Sequence, residues 1–264
     1  MSDGVSSTIK SAARVFEVLE LFEKLREPLT SIRVGRHLNY PASSALALLK
    51  SMVSLGYLSF DRIDRTYFPT IRVTLLGQWV EHAVHSGDGS LIALVEALIR
   101  ATGESVSISG QNDLDMQFIH IAQGPQHITV NLTPGTLAPL FHSTIGLTSL
   151  TTRPNDEIVR LAERHNRTRA GDGPPVDSKA ILDAVEGIRR RGWFAGYDMY
   201  IDGVGAVSWV LPTDDGRRSM VMAISGPSDR IRRDEATIVK AVIPILHDHG
   251  FLPNAASPKP VRSR

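Results

Sequence analysis

The sequence contains no cysteine among its 264 residues. A chain without thiols forms neither a disulfide framework nor a thiolate metal cluster, which suits a protein of the reducing cytosol. Long apolar runs are also missing. No stretch approaches the ~18 uncharged apolar residues that a membrane span needs, and the N-terminal segment lacks the apolar core of a signal peptide. We therefore expect a cytoplasmic protein with no membrane partner.

The chain also has little net charge, which is +1 at neutral pH. That charge is unevenly divided: residues 1–80 hold ten Lys and Arg against seven Asp and Glu, whereas residues 81–264 hold nineteen against twenty-one. The length and a hydrophobic content of 42% are sufficient for two domains. The sign of the asymmetry favours an N-terminal module that meets phosphate groups and a C-terminal module that does not.

The first eighty residues have the spacing of a small helical domain. Apolar residues recur at helical intervals over 8–24, which predicts an amphipathic helix. Thr30 is a suitable N-cap for a short helix over 31–38, and Pro41 stands in the first turn of a third helix that stops at Gly56.

Two β-prone runs follow the third helix, over 57–60 and 66–68. They are joined by the sequence DRIDR, which predicts a hairpin with two arginines at its tip. Helix, helix, turn, helix and basic hairpin is the order of a winged helix-turn-helix, whose third helix enters the major groove of DNA.

The predicted third helix has two unlike faces. Four apolar residues share the side that should face the core, namely Ala45, Leu48, Leu49 and Met52. The opposite side has only one charged residue and comprises Ser43, Leu46, Ala47, Lys50 and Ser54. The sequence therefore predicts a recognition helix with an unusually apolar outer face.

The rest of the chain alternates helical and β-prone segments. A helical stretch over 73–85 runs into the breaker SGDGS, so we place a linker helix at 73–88. Beyond it we expect helices at 90–101, 142–151, 155–165, 178–191 and 228–248, and strands at 104–110, 116–122, 127–132, 193–199, 205–212 and 219–225. That mixture predicts an α+β fold in which helices surround an antiparallel sheet.

Six stretches of the sequence carry a likeness to a known family. They are IKSAARVFEVLELF, PLTSIRVGRHLNYPASSALALLKSMVSLGYLSFDRIDRTYFPT, FHSTIGLTSL, IRRRGWFAGYD, DGVGAVSWVLP and MVMAISGPSDRI. In this order and spacing the chain resembles the IclR family of bacterial transcriptional regulators over about 9–251. The resemblance implies a winged helix-turn-helix over 1–72, the linker helix over 73–88 and a GAF-like effector domain over 89–252. Residues 253–264 are rich in Pro and Ser and should form a disordered tail.

The resemblance also implies operator DNA as a partner, a homo-oligomer (dimer or tetramer) and no cofactor. The candidate DNA-binding residues are Ser31, Arg33, Arg36, Ala42, Ser43, Ser44, Leu46, Ala47, Lys50, Arg62 and Arg65. The chain departs from the family pattern at Ala42, Leu46 and Ala47, where relatives usually have polar or basic groups. Direct readout would then depend on thymine methyl groups and on the hydroxyls of Ser43 and Ser44.

A small organic effector is the second partner that the resemblance implies. The candidate ligand-binding residues are Leu137, His142, Ser143, Thr144, Ile145, Asp198, Ala206, Ser208, Ala223 and Ser225. A helix start at 142–145 would present backbone N–H groups to a carboxylate. Aromatic residues crowd the neighbouring predicted strands, namely Trp193, Phe194, Tyr197, Tyr200 and Trp209. An aromatic acid is therefore the expected effector, with repression of a catabolic operon as the expected output.

Two other functions compete with this one. A ligand sensor that does not bind DNA would explain the apolar face at Leu46 and Ala47. A hydrolase would need His120 or His142 as an acid or base, but the sequence has neither a nucleophile elbow nor paired carboxylates. The pairs HAVH and HDH, at 82–85 and 247–249, lack a third spaced ligand, so no metal site is expected.

Overall fold

The computed structural model describes residues 9–84, 91–169, 175–212 and 220–251, with the backbone alone over 78–84. The chain divides into two compact units, Met1–His82 and Ala83–Arg264. The predicted tail at 253–264 lies outside the described residues. The α+β fold class is confirmed, with a helix-turn-helix unit before a unit built on an antiparallel sheet.

The first unit contains four helices and a small sheet among the described residues. The helices are α1 (Lys10–Leu25), α2 (Ser31–Leu38), α3 (Ala42–Ser54) and α4 (Ile71–Val84), and the strands are β1 (Leu29–Thr30), β2 (Leu58–Asp61) and β3 (Thr66–Pro69). All three strands are antiparallel, in the order β1-β3-β2. The short strand β1 was not predicted; it extends the wing hairpin by pairing Leu29 with Tyr67.

Local signals in the sequence fix where α2 and α3 begin and end. The Thr30 hydroxyl accepts a hydrogen bond from the backbone N–H of Arg33 at 3.3 Å, as expected of an N-cap. Asn39 ends α2 in the left-handed region, and Gly56 follows α3 at a φ of 81°. The two helices pack on a common core that includes Val18, Phe22, Leu29, Val34, Leu49, Met52, Leu58 and Tyr67.

The second unit is larger and contains the main sheet. Its helices are α5 (Leu91–Thr102), α6 (Thr144–Leu150), α7 (Asn155–Thr168), α8 (Ser178–Arg191) and α9 (Ser228–Asp248). Its strands are β4 (Ser105–Asn112), β5 (Asp115–Ala122), β6 (Leu137–Pro139), β7 (Phe194–Tyr197), β8 (Val204–Leu211) and β9 (Met220–Pro227). They form one antiparallel sheet in the order β6-β5-β4-β9-β8-β7.

Both faces of this sheet are covered, because alternate residues of a strand point to opposite sides. On β9, Met222 and Ile224 pack in the cluster that contains α5 and α9. Val221 and Ala223 pack instead with residues of α6, α7 and α8. The second unit therefore has three layers, and its strands are apolar in both registers.

The predicted strand at 127–132 is wrong. Residues 135–139 occupy the edge of β5 instead: β6 pairs with it, and Phe118 exchanges backbone hydrogen bonds with Gly135 and Thr136. Among the described residues, the β-prone sequence HITVNL pairs with no strand. That segment crosses the sheet edge as irregular chain, which brings Val130 and Leu132 to a cavity described below.

The start of α6 depends on a very close backbone approach. A Cβ on Gly146 would overlap the backbone of Leu140, including its carbonyl oxygen. Ser143 precedes the helix and caps it, since its Oγ accepts from the N–H of Gly146 at 3.1 Å and donates to the carbonyl of Pro139 at 2.7 Å. The turn before α6 is therefore closed by one glycine and one serine.

We predict that Gly146→Ala destabilises the protein by about 3 kcal/mol, because backbone cannot give way as a flexible side chain does. Gly187→Ala is the matched control: its Cβ would meet only the end of the Arg190 side chain at 4.0 Å. In the interior of α8 this change should stabilise by about 0.5–1 kcal/mol. Thermal unfolding of both variants measures the difference, and equal melting temperatures would contradict the close approach.

Candidate DNA interface and effector cavity

The two faces of α3 are separated as the sequence predicts. Ala45, Leu49 and Met52 are buried in the core of the first unit. The outer face is solvent-exposed, and Leu46 retains 37% of its surface. Exposed on this face are Ser43, Leu46, Ala47, Lys50 and Ser54. The apolar residues of this face therefore lie on the protein surface and do not belong to the core.

Four cations stand exposed around this helix, namely Arg36, Lys50, Arg62 and Arg65. None of them makes an ion pair with another residue that the structure describes. Arg33 differs, because its Nη2 lies 2.5 Å from Oε1 of Glu27. Both side chains of that pair remain about half exposed, and such surface pairs stabilise by only ~0–1 kcal/mol, so a phosphate can displace the carboxylate.

The hairpin of β2 and β3 has a tip built by an aspartate. Oδ1 of Asp61 accepts hydrogen bonds from the N–H groups of Ile63 at 2.7 Å and Asp64 at 3.1 Å. Arg65 adopts a φ of 53°, which turns the chain back into β3. Ile63 is 91% exposed, and the arginines on either side of it extend from the same four-residue turn. The tip thus projects two long cationic side chains.

Of the remaining candidates, Ala42 is exposed at the first turn of α3, whereas Ser31 and Ser44 are half-buried. Ser31 begins α2 directly after the Thr30 cap. These three residues lie at helix starts, where side chains and N–H groups commonly contact phosphates.

A cavity of about 60 Å³ lies in the second unit between the sheet, α6 and two irregular segments. Its walls are mostly apolar. They comprise Ser107, Phe118, Val130, Leu132, Ala138, Ser143, Thr144, Ile145, Met199, Tyr200, Ile201, Val204, Ala206, Ala223 and Ser225.

Six of the ten predicted ligand-binding residues line this cavity: Ser143, Thr144, Ile145, Ala206, Ala223 and Ser225. The structure brings them together from α6 and from the neighbouring strands β8 and β9, which pair Ala206 with Ser225. The sequence prediction therefore identifies the sheet face and the helix that bound the cavity.

The other four predicted residues do not line this cavity. His142 is exposed beside His165, and Ser208 is buried in a 2.7 Å hydrogen bond to the Thr148 hydroxyl. The Leu137 carbonyl accepts a hydrogen bond from the Tyr200 hydroxyl at 2.8 Å. The hydrogen bonds of Ser208 and of the Leu137 carbonyl join segments that are remote in the sequence.

The fourth, Asp198, holds a turn. Its Oδ1 accepts hydrogen bonds from the Ser228 hydroxyl at 2.7 Å and from the N–H of Gly203 at 2.8 Å. These two donors lower the pKa of the Asp198 carboxyl, the Ser228 hydroxyl contributing most. The carboxylate is therefore occupied in joining the β7–β8 turn to the start of α9.

The aromatic lining expected of the pocket is largely wrong. Trp209, Trp193 and Tyr197 pack in the core cluster on the opposite face of the sheet. The Tyr197 hydroxyl also donates a hydrogen bond to Glu235. Burial of Tyr197 and, to a smaller extent, this hydrogen bond raise the pKa of Tyr197 to about 12. Tyr200 is the one predicted ring that reaches the cavity, where Phe118 of β5 joins it.

The cavity residues that sequence reasoning missed are mainly apolar ones from β5 and from the loops, where no motif marks them. One signal was available. Ser105, Ser107 and Ser109 alternate along β4, and all three are buried. Buried polar residues at strand spacing indicate a face that meets something other than a dry core. The hydroxyls of Ser107 and Ser225 make no hydrogen bond within the described part of the chain.

No charged side chain belongs to the cavity lining. At the start of α6 the N–H of Gly146 is already capped by the Ser143 hydroxyl. A polar group of a ligand would instead meet hydroxyls, chiefly those of Ser107 and Ser225. The cavity consequently favours a compact molecule with an apolar body and few polar atoms.

The described ranges contain no group of three His, Cys, Asp or Glu side chains placed as metal ligands. The side chains of the HAVH pair lie outside the described residues, and His247 of HDH contacts Asp248 at 3.4 Å. None of the helices that the structure describes has the length and hydropathy needed to cross a membrane.

Comparison with known families assigns both units. The model for the IclR helix-turn-helix domain matches residues 11–62, and the model for the bacterial transcriptional regulator IclR C-terminal matches residues 90–249. The second match alone covers more than half of the chain. The chain belongs to the IclR family of transcriptional regulators. The predicted family is thereby confirmed, and with it a DNA-binding domain followed by an effector domain.

Whole-length relatives agree with the domain matches. The chain is 23% identical to the acetate operon repressor of Salmonella typhimurium, over 90% of this chain and 88% of the repressor. It is 26% identical to the transcriptional regulator TsaQ1/TsaQ2 of Comamonas testosteroni, over 88% and 83%. The crystal structure of the Thermotoga maritima IclR has the same fold at 17% identity, with a TM-score of 0.56 over 92% of this chain and 99% of that one.

A buried ion pair connects the cavity of this IclR-family chain to the rest of its domain. Segment 125–132 carries Val130 and Leu132 into the cavity, and its Ile128 carbonyl accepts from Nη2 of Arg230 at 3.0 Å. The same guanidinium makes a two-pronged pair with Glu104, at 2.5 and 2.7 Å. Glu104 is buried and a fifth of the Arg230 side chain is exposed, so the pair is largely shielded from solvent. It anchors the segment that closes one side of the cavity.

We predict that Arg230→Met lowers the free energy of unfolding by about 3–5 kcal/mol, because it leaves the Glu104 carboxylate buried and unpaired. The double variant Glu104→Gln/Arg230→Met should recover much of this loss. Arg100→Met is the matched control, since its pair with Glu96 is exposed and stabilises by ~1 kcal/mol or less. Chemical denaturation measures the free energy of unfolding of the single variants and of the double variant. If the loss in the double variant equalled the sum of the two single losses, the buried pair would be contradicted.

Proposed function

We propose that this IclR-family protein is a ligand-responsive transcriptional regulator, in which α3 and the wing bind operator DNA and the cavity of the second unit binds a small effector. The proposal rests mainly on α3, whose outer face is exposed and packs on no other part of the described chain, and on the exposed cations of the same unit. Phosphate contacts would come from Arg36, Lys50, Arg62 and Arg65, and base contacts from the α3 face. Such a regulator works where the DNA is, in the cytoplasm.

A homo-oligomer follows from how helix-turn-helix proteins read DNA. A two-fold dimer presents two recognition helices to half-sites about 34 Å apart, which matches a palindromic operator. The first unit exposes apolar side chains that association would bury: Phe16 of α1 is 64% exposed and Leu75 of α4 is 57% exposed. Ile9, Ile71 and Leu76 are exposed as well. We propose a dimer, or a tetramer made of dimers.

For the effector we propose a small organic acid with an apolar body, its polar end against the hydroxyls of Ser107 and Ser225. For a bulkier aromatic acid we propose that segment 125–132 moves outward. Binding regulates transcription only if the effector favours one arrangement of the oligomer over another, by a coupling free energy of ~1–3 kcal/mol. Similarity to the acetate operon repressor supports repression as the sign of control.

A sensor that contacts a protein instead of DNA is the second candidate. The observation in its favour is the apolar outer face of α3, which carries Leu46 and Ala47 and a single lysine. The exposed arginines of the wing favour DNA. Titration with duplex DNA at rising ionic strength separates the two candidates, because only the DNA regulator loses affinity steeply with salt.

We predict that Arg62→Ala/Arg65→Ala weakens operator binding and reduces the slope of log K against log salt by about 0.9 for each phosphate that the variant no longer neutralises. The control variant Arg100→Ala/Arg190→Ala removes the same charge from exposed positions of the second unit, so it should leave the slope unchanged. Binding is followed by fluorescence anisotropy with the protein's own upstream DNA. An unchanged slope in the wing variant would remove the wing from the interface.

We also predict that at least one member of a panel of short aliphatic and aromatic carboxylic acids raises the melting temperature. The same acid should not stabilise Ala206→Leu, whose added side chain fills the cavity from β8. Val210→Leu, on the same strand but outside the cavity lining, is the control and should respond like the unchanged protein. Equal shifts in all three proteins would show that the acid binds elsewhere.

A further inference from the structure

The outward face of α3 is unusually apolar for part of a proposed DNA interface. Residues 43, 46, 47 and 50 fall at i, i+3, i+4 and i+7, so they share one face of the helix. Their side chains are a hydroxymethyl group, an isobutyl group, a methyl group and an ammonium. We infer that this face reads thymine through its 5-methyl group, and that Leu46 is the residue that sets the preference.

The reason lies in what a major groove offers to an apolar side chain. Base edges there present hydrogen-bond donors and acceptors, and the thymine methyl is their one apolar group. A leucine against a polar edge strips water from donors and acceptors without replacing the hydrogen bonds that the water made, which is unfavourable. Against a thymine methyl, the same leucine gains apolar burial. Leu46 therefore both attracts thymine and disfavours the other edges.

Charge complementarity places this face against DNA and not against an apolar protein surface. Lys50 stands one turn after Leu46 on the same helix, and Arg36 extends from α2; both are exposed. The wing adds Arg62 and Arg65. These cations form no ion pair within the described part of the chain, and a groove flanked by two rows of phosphates supplies the opposite charge.

The position along the helix selects Leu46 from the exposed leucines of this region. In helix-turn-helix proteins the N-terminal residues of the recognition helix contact base edges. Leu46 lies in the first half of α3, five residues after Pro41. Leu55 is more exposed, at 61%, but it is the C-cap residue at the opposite end of the helix. Ser43 and Ala47 are too short to favour one base strongly by themselves.

The inference rests on the proposed function, and the test separates the two. Binding sites are first selected by the full-length protein from a random duplex pool, and each thymine of a selected half-site is then replaced by deoxyuridine. This exchange removes only the 5-methyl group and leaves base pairing intact. We expect the selected half-sites to contain thymine, and at least one replacement to weaken binding about fourfold, as loss of one buried methyl predicts.

Two variants complete the test. Leu46→Ala should bind thymine and deoxyuridine duplexes with equal affinity, whereas Leu55→Ala, the matched leucine control, should keep the fourfold preference. Both positions are exposed, so neither change should unfold the domain. Half-sites without thymine, or equal binding of both duplexes by the unchanged protein, would overturn thymine reading. A preference that survives Leu46→Ala would overturn the role of Leu46. Absence of binding to any duplex would overturn the proposed function itself.

Discussion

The N-terminal unit depends on the division of α3 between two environments. Ala45, Leu49 and Met52 bind the helix to the core, and this burial fixes its rotation about its own axis. Because the rotation is fixed, the residues between them can only face outward. The apolar side chains of the outer face therefore stay exposed, because the helix cannot rotate them inward without exposing its buried residues. What that face meets determines what the protein does.

The effector domain shows the complementary arrangement, in which packing is incomplete at one place. Strands apolar in both registers bind helices on both faces, and Gly146 lets α6 approach the backbone of Leu140. The layers nevertheless do not close where Ser107, Ala206 and Ala223 present small side chains to segment 125–132. The Glu104–Arg230 pair holds this segment from the other side of the sheet edge. Residues of the core itself form part of the cavity wall, among them Phe118, Ile145 and Ala223.

Sequence reasoning reached the features that depend on local chemistry. The Thr30 cap, the Gly56 stop and the faces of α3 follow from residue type and spacing, and the structure confirms them. The predicted strand at 127–132 failed because strand formation needs a pairing partner, and residues 135–139 are the ones that bond to residues 115–118 at the edge of β5. The aromatic pocket failed for a related reason: Trp209 and Tyr200 lie on opposite sides of a sheet whose register a single sequence does not reveal. Asp198 and Ser208 lie outside the cavity lining, where they bond to Ser228 and Thr148, partners that are remote in the chain.

The most direct measurement is site-specific photocrosslinking from position 47, with a photoreactive amino acid in place of Ala47 and a duplex selected by the protein. We expect crosslinks to bases at one or two neighbouring positions of each half-site, on the major-groove side. The same group placed at Arg160, on an exposed face of α7, should give no specific crosslink. Crosslinks from position 47 only to protein, under conditions in which the duplex is bound, would contradict the central claim that this face of α3 lies in the groove.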